Sequence, residues 1–203
     1  MKDKRDRKNS ADLILTSATE EFSQFGLAGA RIDRIAKNSG VNKAMIYYHF
    51  QSKEKLYQTI IGQFFDQLRL FFKERIVFLD DPEEIFRSLS EFYNTKITDS
   101  AFIPILLREI ASGGEIVQRL FSEFVAEGPA HKLRSIIENS IEQGSFRNID
   151  SKQAIASFIG MNFYYLIMAP MINQVLEIKD EKDFREKRPE AIVDLFFNGI
   201  KAK

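Results

Sequence analysis

The sequence predicts an all-α protein: a small N-terminal three-helix domain, residues 1–52, followed by a larger helical domain, residues 53–203. Three observations predict it. Apolar residues recur at three- and four-residue spacing along most of the chain, without the sustained alternation of a half-buried strand. The five prolines, at 82, 104, 129, 170 and 189, leave long uninterrupted segments between them. Helix-end signals also fall at the segment borders, with Gly26, Gly40, Gly113-Gly114 and Gly144 after apolar runs and Asn42, Ser52 and Asp150 before them.

Helix 1 is expected from about Ser10 to Phe25, with Leu13, Ile14, Ala18, Phe22 and Phe25 inward and Gly26 ending it. Helix 2 is expected at about 32–39, burying Ile35 and Ala36, and helix 3 at about 43–49. Gly40 sits just past helix 2, where a left-handed backbone is costly for a residue with a Cβ. Asn42 is placed to cap helix 3 by accepting a bond from an orphan N–H. Ile46 and Phe50, four apart, make the inner stripe of helix 3. Ser-Lys-Glu-Lys at 52–55 supplies a cap and an early acid for helix 4, which is expected to reach about Phe78. Asp80-Asp81-Pro82 opens helix 5 at about 82–98, because proline is tolerated in a first turn. Later helices are expected at about 101–111, 115–126, 130–143, 151–177 and 188–201. The charged run K-D-E-K-D-F-R-E-K-R between the last two reads as a solvated turn or frayed end.

Composition narrows the function. Hydrophobic residues make up 44 % of the chain, enough for a core and too many for disorder. Cysteine is absent, which excludes disulfides, thiolate metal sites and cysteine nucleophiles. No G-x-S-x-G, H-E-x-x-H or phosphate loop is present, and the two histidines lie on separate segments. No catalytic residue, metal site or cofactor is therefore predicted. The charged N-terminus is not followed by an apolar signal core, and no run of about 18 apolar residues stands out. A cytoplasmic protein without a membrane span is expected. Formal net charge is zero, yet residues 1–55 hold 11 Lys and Arg against 7 Asp and Glu, a balance of +4 that the remainder offsets. A basic front and an acidic rear orient a protein toward phosphate.

The exposed face of helix 3 carries Lys43, Ala44, Tyr47, Tyr48 and His49. One cation, a small residue and aromatic hydroxyls on a short helix suit the floor of a DNA major groove. The whole pattern from Ile35 to Leu56, I-A-x-x-x-G-V-x-x-x-x-I-Y-x-H-F-x-S-K-E-x-L, resembles the DNA-binding domain of the TetR/AcrR-type bacterial transcription regulators. The combination of turn glycine, Tyr-x-His-Phe run and Ser-Lys-Glu helix start makes the resemblance specific. It covers about the first quarter of the chain closely.

The resemblance implies a ligand-responsive regulator, most often a repressor, that binds double-stranded operator DNA as a homodimer and responds to a small-molecule effector. The alternative is a DNA-binding regulator controlled by a protein partner. On this pattern Tyr47, His49 and Lys53 contact phosphates, and Tyr48 lies near the backbone and thymine methyls. Lys43 reaches a base edge or phosphate, with Ala44 allowing close approach and Asn42 and Met45 beside it. The family usually has a Thr-Thr or Ser-Thr pair before helix 2; here Ala30 and Arg31 stand there, so the cap is expected to be weaker and Arg31 to supply a charged phosphate contact. The basic arm Lys4-Arg5-Arg7-Lys8 is a further candidate for DNA contact.

For the rear domain the resemblance implies an effector cavity and a dimer interface on the last two helices. Of 19 phenylalanines, 16 lie beyond residue 51. The expected ligand site comprises Phe92, Arg108, Phe124, Met161, Tyr164 and Met168, with Arg108 as the anion-holding group. The expected interface comprises Ile155, Phe158, Ile159, Asn162 and Leu166 on one helix and Ile192, Leu195, Phe196 and Gly199 on the other.

Overall fold

The computed structural model describes residues 2–97 and 101–202. Its helices are α1 (Lys2–Gly29, broken at Gly26, where φ is 65°), α2 (Ile32–Ser39), α3 (Lys43–Phe50), α4 (Lys53–Glu74), α5 (Pro82–Phe92), α6 (Phe102–Ala111), α7 (Glu115–Ala126), α8 (Pro129–Glu142), α9 (Ser151–Val175) and α10 (Glu181–Ile200). A 3₁₀ turn, Ile76–Phe78, follows α4, and a π-helical turn, Tyr93–Ile97, follows α5. Among the described residues the β-structure is confined to an isolated antiparallel bridge between Phe146 and Lys201. The all-α expectation holds.

Contacts divide the chain into two units. The first contains the described residues up to Leu68 together with Ala101–Ser122; the second contains those from Arg69 to 97 and from Glu123 onward. The boundary expected at 52/53 lies just before α4, whereas this division runs through α4 and α7. In the first unit Ile14, Ala18 and Phe22 of α1 are fully buried with Ile35, Ile46, Leu56 and Ile61. Phe22 meets Tyr57 edge-on at 5.0 Å between ring centres. Leu13 and Phe25, expected inward, are both 45 % exposed, and Ala36 and Phe50 are only half-buried. Phe25 lies under the Arg34 guanidinium, 4.2 Å from the ring centre, which accounts for an aromatic ring at the surface.

The second unit has a filled aromatic core. Phe86 packs against Phe158 at 4.7 Å, Phe196 at 5.1 Å and Phe197 at 5.8 Å. A polar group inside it is bonded at both its oxygen and its nitrogen: Asn162 Oδ1 accepts from Ser90 Oγ at 2.7 Å and from Asn94 Nδ2 at 3.0 Å, and Asn162 Nδ2 donates to the Phe158 carbonyl. Buried amides demand such partners.

Three corrections concern α9 and α10. The charged run is not a turn. Asp180 caps α10 by accepting from the Asp183 N–H at 2.9 Å, and Glu181–Arg185, Lys182–Glu186 and Asp183–Lys187 pair across one helical turn. The expected interface stripe is half wrong as well: Phe158, Asn162, Ile192 and Phe196 are buried inside the unit. A helix that is apolar nearly all round does not reveal from its sequence which stripe faces inward. The outward apolar side chains are Tyr164, Ile167, Met171, Val175 and Leu176 on or beside α9 and Leu195 on α10. Finally, α9 is long and apolar enough by length and composition to cross a membrane, with a mean hydropathy of 1.5 and only 17 % of its best window buried, although the sequence reading found no such run.

Candidate nucleic-acid interface

Each turn of the front domain is set by a local device. Gly40 ends α2 in the left-handed region at φ 69°, as its place predicted. Asn42 then caps α3, its side-chain oxygen accepting from the Met45 N–H at 2.9 Å. The α3–α4 turn passes through Gln51 at φ 66°, a conformation that strains a residue with a Cβ, held by the Gln51 N–H to the Tyr47 carbonyl at 2.8 Å. Ser52 Oγ accepts from the Lys55 N–H at 3.1 Å and caps α4. Glu54 in that first turn has a lowered pKa, from a backbone N–H bond first and the Ser52 hydroxyl second.

α2 lacks a capping side chain at Arg31, as expected, but it is not left uncapped. Glu21, buried on α1, accepts the Arg31 N–H at 2.8 Å and the Arg34 Nε at 2.7 Å. Burial pushes the Glu21 pKa up; the Arg34 hydrogen bond, the Arg31 N–H and the two positive charges outweigh it, and the net shift is downward. Glu21 was missed in the sequence, yet it left a signal. It falls seven residues after Ile14, on the inward stripe of α1, where an acid needs a partner.

The expected DNA-contacting residues fall into two sets. Asn42, Lys43, Ala44, Tyr47 and Tyr48 are exposed, with Tyr47 at 44 % and Tyr48 at 62 %; Arg31 is exposed at the start of α2. Met45, His49 and Lys53 are half-buried. His49 Nε2 lies 3.0 Å from Ser10 Oγ, which ties α3 to α1, and Lys53 Nζ donates to the Ala30 carbonyl at 3.3 Å. Lys43 Nζ is 2.9 Å from Asp33 Oδ1 of α2, and that hydrogen bond raises the lysine's pKa. The side chains of the basic arm at 4–8 lie outside the described residues.

The six expected ligand residues fall in several surroundings. Phe124 lines a groove with Phe72 and Ile76. Phe92 is buried and stacks on Phe71 at 4.4 Å. Met161 lines one groove along α9 and α10, and Tyr164 and Met168 line another. Arg108 belongs to the first unit, where it is exposed and donates from Nη2 to the Gln24 carbonyl of α1 at 3.1 Å. The apolar sequence around Arg108 gave no sign that its long stem reaches out to a neighbouring helix end.

A short capped helix presenting one cation and two tyrosines beside a left-handed turn defines the class: a helix-turn-helix DNA-binding protein with further helical elements. Residues 14–60 match the family described as bacterial regulatory proteins, tetR family. The chain is 26 % identical to the HTH-type transcriptional regulator RutR of Escherichia coli (strain K12) over 98 % of its own length and 95 % of the relative's. It is 28 % identical to the HTH-type transcriptional repressor NicS of Pseudomonas putida over 94 % and 92 %. Its fold is similar to that of AibR in complex with isovaleryl coenzyme A and operator DNA, with a TM-score of 0.71, 22 % identity, and 93 % and 98 % of the two chains covered. The chain thus carries a tetR-family DNA-binding segment and is similar over nearly its whole length to HTH-type transcriptional regulators.

Proposed function

We propose that the protein is a cytoplasmic homodimeric repressor that binds a palindromic operator through α3 and is released by a small, largely apolar effector. The observation that carries the reading is the outward face of α3, where Lys43, Ala44, Tyr47 and Tyr48 are exposed on a helix whose own N-terminus is already capped. In this reading Tyr47, His49, Lys53 and Arg31 hold phosphates, while Lys43, Ala44 and Tyr48, flanked by Asn42 and Met45, face the base edges. Phosphate contacts fix position and base contacts supply selectivity.

The dimer follows from a second surface. Tyr164, Met171, Val175, Leu176 and Leu195 expose apolar area on α9 and α10. Two such helix pairs related by a two-fold axis bury it as a four-helix bundle. Repression is supported by the relative NicS, whose name is that of a repressor, and an effector by AibR, whose structure holds a ligand together with operator DNA.

The test uses a duplex enriched from random sequence by the wild-type protein. Tyr47→Ala and Lys53→Ala are expected to weaken binding to enriched and shuffled duplexes alike, with Lys53→Ala reducing the salt slope by about one unit. Substitution at Lys43 or Ala44 is expected to change the preferred sequence, by about tenfold in relative affinity. Unchanged affinity in the Tyr47 and Lys53 variants overturns the assignment.

A further inference from the structure

In the second unit a groove of about 290 Å³ opens between the end of α4, the 3₁₀ turn, and the junction of α7 and α8. Its floor is apolar. Phe72, Ile76 and Phe124 are buried there, with Phe72 and Phe124 edge-to-face at 5.4 Å. Val77, on its edge, is 58 % exposed. Arg69, Lys73 and Lys132 stand around this floor, and Glu127 is the acid that lines it. Glu127 is shared between two of the cations, with Arg69 Nε at 2.7 Å and Lys73 Nζ at 3.7 Å. Lys132 reaches Asp80 at 3.7 Å, a carboxylate fully open to water and so a weak hold. The lining also includes Gly128 and Pro129, which start α8 without a side-chain cap, so the positive end of that helix adds to the cations.

An apolar floor edged by three cations and one acid is complementary to a molecule with an apolar body and an anionic end. We propose that this groove binds an anionic amphiphile, its acyl chain on Phe72 and Phe124 and its carboxylate on Lys73 and Lys132, where it competes with Glu127 for Lys73. The inference rests on the effector reading above and gives that effector a site and a chemical class.

The experiment is calorimetric titration of the full-length protein with octanoate and with octanol, which share a chain and differ in charge. Wild type is expected to bind octanoate at least tenfold more tightly than octanol. In the Lys73→Gln/Lys132→Gln variant that preference falls to within about twofold while octanol binding is unchanged, and Glu127→Gln tightens octanoate binding by removing the competing carboxylate. Equal binding of the two probes, no binding of either, or a preference that survives loss of both lysines overturns the site. Gel shifts run alongside separate the two readings. If wild type binds no enriched duplex, the regulator reading fails whatever the titration shows. If octanoate binds with the expected charge dependence but leaves the DNA complex intact, the site stands and its role as effector site falls.

Discussion

Between Ala30 and Lys55 polar side chains close helix ends and meet opposite charges, whereas large apolar side chains at the end of α9, with Leu195 of α10, lie uncovered within the chain. Asn42, Ser52 and the distant Glu21 each satisfy a helix N-terminus in the first region. In the second, Val175 is 77 % exposed, Leu195 64 % and Leu176 63 %. The difference teaches where each region obtains its rigidity. The recognition region is preorganised by hydrogen bonds inside one chain, so its tyrosines and lysine are held ready at the surface. The rear region gains from a second copy, because exposed apolar area of this kind is stabilised when removed from water.

The largest effect is expected from breaking the second region. Met171→Asp and Leu195→Asp together place carboxylates where the two-fold mate seats, and burying an unpaired carboxylate costs several kcal/mol. Sedimentation at micromolar concentration should show a monomer with unchanged helical content, and dimer affinity should fall at least a hundredfold. A dimer that persists refutes α9 and α10 as its seat.

Breaking the first region is expected to cost less but to act within one chain. Glu21→Gln leaves Arg34 without its carboxylate and weakens the bond to the Arg31 N–H, which should lower stability by about 2 kcal/mol in denaturant unfolding. The pH dependence has a fixed sign. The folded pKa of Glu21 lies below its unfolded value, so its contribution is complete above about pH 4.3 and is lost as pH falls through the folded pKa. Wild type and Glu21→Gln should therefore differ at neutral pH and converge in acid. Equal stability at neutral pH removes Glu21 as the stand-in cap.

The smallest effect sharpens the comparison. Lys43 is held by Asp33 at 2.9 Å, an exposed pair that competes with DNA in the proposed reading. Asp33→Asn frees the lysine and should raise DNA affinity by no more than about fivefold, the range of exposed ion pairs. The gain should shrink with added salt. Weaker binding in titrations by fluorescence anisotropy speaks against Lys43 as a DNA contact.

The front of the molecule was more legible in the sequence than the rear, for a physical reason. Gly40, Asn42 and Ser52 act on neighbours two to four residues away, so their roles are written locally. Glu21 acts across ten residues and Arg108 across 84, and such partners are set by packing rather than by spacing. The stripe on α9 failed differently: Phe158 faces the core and Tyr164 faces out, yet both belong to one run of apolar residues that periodicity cannot phase. The start of α10 is hidden because a dense run of charges reads as a solvated turn or frayed end, although its i,i+4 pairing of opposite signs is a helix signal. The ligand set was the hardest part to read, because aromatic bulk identifies a core without locating a void in it.

The central claim, that α3 of two symmetry-related chains reads DNA, is tested most directly by selecting binding sites for the wild-type protein from a pool of random duplexes. The account predicts enrichment of an inverted repeat whose half-sites are about one helical turn, 10–10.5 base pairs, or a multiple apart. A pool that returns no common sequence, or a single site without two-fold symmetry, contradicts it.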